Sequence, residues 1–128
     1  MTWAVTEQAI DSYEAAAKHD PPTRSAMDRL WSRLDLDPEG EGLPLVDGSR
    51  APDPNVRRII AALENATSIH RAAGFEPRLA YEPIEGPAMN PPWLVFSVHA
   101  PNWAPEGRTE RHTLLALGTV DRRGNIRT

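Results

Sequence analysis

Trp93-Leu94-Val95-Phe96-Ser97-Val98-His99-Ala100 is the stretch that decides the fold. It is rich in β-branched and aromatic residues and holds no Gly or Pro, which is the composition of a strand. Side chains alternate across a strand, so Leu94, Phe96, Val98 and Ala100 share one face. Trp93, Val95, Ser97 and His99 share the other.

Outward from that strand the two-residue period continues. Thr109 to Val120 reads as a further strand, although Leu114-Leu115-Ala116-Leu117 leaves its buried side ambiguous. Val120-Asp121-Arg122-Arg123-Gly124-Asn125-Ile126 reads as a hairpin, with Asp opening the turn and Gly closing it, and Asn125–Thr128 is a short last strand. On the other side, Arg78–Glu82 alternates weakly. Pro77 and Pro83 confine it to an edge or irregular strand, because proline cannot donate to a ladder.

Further towards the N-terminus the period changes to that of a helix. Val5, Ala9, Ile10, Tyr13, Ala16 and Ala17 fall on one helical face, with Thr6 as its cap. His19-Asp20-Pro21-Pro22 ends this helix and starts another, with Asp20 as N-cap and the prolines in the first turn. Ala26, Met27, Leu30, Trp31 and Leu34 form the second buried stripe, and Arg24, Asp28, Arg29 and Arg33 lie outside it. Asp53-Pro54 starts a third helix, whose stripe runs from Val56 through Ile59, Ile60, Leu63 and His70 to Ala73, closed by Gly74. Residues 36–52, with Pro38, Gly40, Gly42, Pro44, Gly48 and Pro52, form a long loop.

The expectation is an α+β fold: three N-terminal helices packed on one face of a C-terminal antiparallel three- to four-stranded meander. The 128 residues fit a single domain, 1–128, with a helical part at about 4–75 and a sheet part at about 76–128.

Composition narrows the function classes. The net charge of -4 argues against broad binding to nucleic-acid phosphates, which relies on a basic surplus. Residues 1–48 hold ten acids and four bases, so the acidic charge sits in the helical part. Zero Cys excludes disulfides, thiolate zinc sites and a cysteine nucleophile. The N-terminus lacks the basic and apolar regions of a signal peptide, and no apolar run reaches the ~18 residues of a membrane span. A cytoplasmic location follows as the expectation. Thirteen Arg against the lone Lys18, with 17 Ala, point to a GC-rich bacterial genome.

Candidate site residues fall into three groups. His70, His99 and His112, with Tyr81, would serve a small enzyme or ligand-binding protein if they met in a pocket between helix 53–73 and the sheet. Glu82 or Glu110 would complete a two-His metal site, and Glu82, Glu85, Glu106 and Glu110 are candidate paired carboxylates, but no HxH or HExxH spacing supports a metal. Arg108, Arg111, Arg122, Arg123 and Arg127 crowd the last 21 residues, as in small RNase toxins, an analogy of fold alone. The most suggestive segment runs from Pro83 to Pro105, where Trp93 and Trp103 bracket the strong strand and Asn102 stands in a proline-framed loop. Rigid loops carrying Trp make good binding anchors.

No phosphate-cradling glycine loop and no GxSxG elbow occur, so neither a cofactor nor a catalytic class is indicated. The reading that follows is a bacterial binding protein of accessory or inhibitor type. It would act on a protein partner or on its own copy through Trp93, Trp103, Asn102, Arg108, Arg122 and Arg123, or through its acidic helical side.

Overall fold

The computed structural model describes residues 2–44, 54, 57, 76–84, 94–120 and 126–127. Its elements are β1 (Trp3–Val5), α1 (Glu7–His19), α2 (Pro21–Leu36), β2 (Leu43–Pro44), β3 (Arg78–Pro83), β4 (Leu94–Ala100), β5 (His112–Val120) and β6 (Ile126–Arg127).

These strands form one mixed sheet in the order β1-β5-β4-β3-β2, with β6 also on β5. This corrects the expected antiparallel meander beneath three helices. The described residues hold two helices and six strands, and β1 runs parallel to β5, with Trp3, Ala4 and Val5 opposite His112, Thr113 and Leu114. The N-terminal strand escapes a periodicity reading because three residues are too few to show a period. Its Trp3 and Ala4 are buried, whereas Val5 ends the strand and does not join the helix face. The third helix, at 53–73 with His70, lies outside the described residues except for Pro54 and Arg57, which are helical.

Both expected helix starts are present. The Thr6 side chain caps α1 by accepting from the Ala9 amide, and Asp20 caps α2 by accepting from the Thr23 amide, with prolines at the first two helical positions. Leu43–Pro44 does pack back onto the body, as a two-residue strand beside Leu79 and Arg78. Gly42 just before it has φ +77, and a Cβ there would sit 2.1 Å from the Leu79 carbonyl oxygen. The strand β3 is therefore flanked on both sides, by β2 and by β4, despite its prolines.

The β5 ambiguity resolves through a bulge. Val98 pairs with Ala116 and His99 with Leu114, so Leu115 is the extra residue. A bulge turns consecutive residues to one side. Leu114 and Leu117 accordingly join the cluster beneath α1 and α2, while Leu115 and Ala116 pack against the opposite cluster.

That opposite cluster, Leu79, Leu94, Phe96, Val98 and Val120, is itself buried, with Phe96 and Val98 at 0% exposure. Both faces of the sheet therefore carry buried apolar residues, and the described helices α1 and α2 lie over one of them. Among the described residues, no helix is long and apolar enough to cross a membrane.

Candidate apolar binding groove

Helix α1 was expected to bury one broad apolar face, but only its alanines go inside. Ala9 and Ala16 are buried against the sheet, whereas Ile10 is 42% and Tyr13 37% exposed. The reason is geometric. Ala9 and Ala16 are seven residues apart and nearly eclipse one another, while Ile10 is turned about 100° from Ala9. Two alanines let the helix approach the sheet closely. The Gln8 side chain then reaches the Leu117 backbone, and the larger residues are rotated off the contact.

The residues so displaced line a groove of about 450 Å³ between α1, α2 and the sheet. Val5, Ile10 and Tyr13 form one wall and Met27, Leu30, Trp31 and Leu34 the other, with Leu114, Leu117 and Ser97 at the floor. Val5 is 38% exposed, so β1 adds a third large apolar side chain to the rim. The Tyr13 hydroxyl donates to Asp28 Oδ1 at 2.8 Å and ties the two helices together. That bond, followed by burial, raises the phenol's pKa. Glu14 and Asp28 give the rim an acidic edge.

Ser97 is fully buried, and its Oγ has no hydrogen-bond partner among the described residues. A hydroxyl withheld from water without a partner costs the fold roughly 1–3 kcal/mol, and this one lies beneath the groove surface.

The expected site residues lie elsewhere or are engaged. His99 on β4 and His112 on β5 both pack against Trp3, whose ring centroid is 5.9 Å from the first imidazole and 5.0 Å from the second. Each is held by backbone. His99 Nε2 donates to the Pro38 carbonyl at 2.7 Å, and His112 Nδ1 accepts from the Asn102 amide at 2.9 Å. Both are buried and neither lines the groove. Burial lowers the pKa of His99 to about 4, and that of His112 is lowered by the same cause. Tyr81 is half-buried and packs with the opposite cluster, its carbonyl taken by Arg33.

Asn102 adopts φ +58 and joins three partners: its amide to His112, its Nδ2 to Glu39 and its Oδ1 to Arg111. Trp103 is half-buried, with its carbonyl accepting from Thr113 Oγ1. Arg108 is paired with Glu110, and Arg29 and Arg33 converge on Glu82, so these two carboxylates are neutralised. Among the described residues, no group of three or more His, Asp or Glu is arranged to hold a metal. Trp93, Glu85, Arg122 and Arg123 lie outside the described residues.

Sequence reasoning missed the groove because it assigned Val5, Ile10 and Tyr13 to the core. A signal was present: Ala9 and Ala16 define a narrow sheet-facing line that leaves Ile10 off it. No protein-family model, curated protein or solved structure matches the chain.

Proposed function

We propose that the protein acts by binding, and that what it binds is a small, mostly apolar molecule held in the groove between α1 and α2. The observation that carries this reading is the row of Val5, Ile10 and Tyr13, three large apolar side chains left exposed along an apolar cleft. Single exposed apolar residues are ordinary, but a contiguous set lining a concavity marks a binding site. The volume of about 450 Å³ falls within the ~300–1,000 Å³ of small-molecule sites.

The groove supports small-molecule binding over a protein-binding surface. It lies between α1 and α2, and neither His99 nor His112 lines it, so it is not the pocket expected between helix 53–73 and the sheet. The catalytic use of His99 and His112 gains no support, since each spends a ring nitrogen on the backbone. The Arg-based RNA reading is likewise weakened by the Arg108–Glu110 pair. We place the protein in the bacterial cytoplasm on its composition.

Titration with the neutral dye N-phenyl-1-naphthylamine tests the reading. Saturable, one-site fluorescence enhancement in the micromolar range is expected, and a linear, non-saturating response would refute it.

A further inference from the structure

We infer that the ligand of this groove is an amphiphilic cation, with an apolar body along Ile10 and Trp31 and a protonated amine beside Glu14 and Asp28. The inference rests on the reading of the groove as a ligand site and names the class of ligand it takes.

The helical repeat gives each wall a charged end. Side chains three or four residues apart share a helix face, so Glu14 continues the stripe of Ile10 on α1, and Asp28 that of Trp31 on α2. The Tyr13 hydroxyl reaches Asp28 Oδ1 at 2.8 Å, so Asp28 and Glu14, the residue after Tyr13, stand at the same end of the groove. Val5 precedes α1 and lies towards the other end, roughly two helical turns away. The cleft is thus apolar along its length and negative at one end. Among its described lining residues there is no Lys, Arg or His.

Each carboxylate has capacity left for a cation. Glu14 is exposed and makes no ion pair or hydrogen bond with the described residues, Lys18 one turn on included. Asp28 gives one oxygen to Tyr13. Its other oxygen lies 3.9 Å from Arg24 Nε, beyond hydrogen-bond reach, with both side chains about half exposed. Because water reaches both carboxylates, an ammonium can pair with them without being carried into the apolar floor, where its desolvation would be costly. A neutral ligand leaves both charges unused, and an anion is repelled by both.

Three probes built on one naphthalene ring separate the charge from the apolar body: 2-naphthylmethylamine, 2-naphthylmethanol and 2-naphthoate. Binding at neutral pH and low salt is read from the methyl resonances of Ile10 and Leu30 during NMR titration. The amine should bind about fivefold more tightly than the alcohol, the worth of a good exposed ion pair, and the carboxylate more weakly than either. About 0.5 M NaCl should erase most of that difference. Glu14→Gln should shrink the amine's advantage, and the double variant with Asp28→Asn should abolish it while the alcohol's affinity holds. Asp11→Asn removes the same charge from α1 outside the groove lining and should leave the advantage intact. Equal affinities for amine and alcohol in the wild type, an advantage that survives the double substitution, or an equal loss in Asp11→Asn would overturn the inference and leave the groove standing. If none of the three probes shifts the methyl resonances, the groove reading falls with it.

Discussion

The Gln8 side chain brackets the backbone of Leu117: its Nε2 donates to the Leu117 carbonyl at 2.9 Å and its Oε1 accepts from the Leu117 amide at 3.1 Å. A side-chain amide thus takes the place of a neighbouring strand. β1 serves β5 at residues 112–114, Thr6 takes the carbonyls of Leu114 and Leu115, Gln8 takes Leu117, and β6 takes Thr119 and Val120. The β5 edge is completed in series by pieces of chain from both termini, and this fixes α1 over the sheet.

Gln8→Ala should therefore destabilise the fold by about 1–3 kcal/mol, since it strands a backbone donor and acceptor. Denaturant unfolding measures the loss, and hydrogen exchange should show the Leu117 amide losing protection. Gln8→Glu should be no better, because a carboxylate faces the Leu117 carbonyl without a proton to give.

Stability should fall on acidification through the histidines. Burial holds the folded-state pKa of His99 at about 4, below its ordinary value of 6.5, and lowers that of His112. Below 6.5 the unfolded chain binds protons that the folded chain refuses. The neutral-histidine contribution is thus fully present above pH 6.5 and lost as pH drops towards 4. For His99 the loss approaches roughly 3 kcal/mol, at 1.36 kcal/mol per unit. Urea midpoints between pH 7 and 4.5 check it, and a His99→Gln variant should show a flatter profile.

Gly118 lies opposite Phe96, and a Cβ there would stand 2.4 Å from the Arg127 carbonyl oxygen and 2.8 Å from the Phe96 ring. Gly118→Ala should cost about 1–3 kcal/mol by overpacking. Phe96→Leu should relieve part of that cost, so the double variant should be less destabilised than the two singles combined.

Ser97→Ala provides the opposite case. Because the Oγ has no partner among the described residues, removing it should leave stability unchanged or slightly raised. A thermal melt showing a clear loss would mean that the hydroxyl does serve the fold.

What was legible in the sequence follows the length and regularity of each element. The alternation of Leu94 to Ala100 and the caps at Thr6 and Asp20 are local signals, and the structure has all three. Trp3–Val5 was not legible as a strand, because its partner, His112–Leu114, lies at the far end of the chain. The bulge at Leu115 hid the facing of β5, since one extra residue makes an alternating pattern look continuous. The histidines were recognised as a pair, yet their roles depend on the carbonyl of Pro38 and the amide of Asn102, which no spacing reveals. The groove is a matter of how closely two alanines bring a helix to a sheet, and that distance is set by tertiary packing.

The central claim is that Val5, Ile10 and Tyr13 line a ligand site, and the exposed Leu36, 86% accessible at the end of α2, supplies the control. Ile10→Glu and Leu36→Glu both place a charge on an already exposed position, so neither should unfold the protein. With N-phenyl-1-naphthylamine as the probe, Ile10→Glu should weaken binding roughly tenfold, as expected for losing about two buried methylenes' worth of contact, while Leu36→Glu leaves it unchanged. Equal affinities for both variants and the wild type would contradict the account.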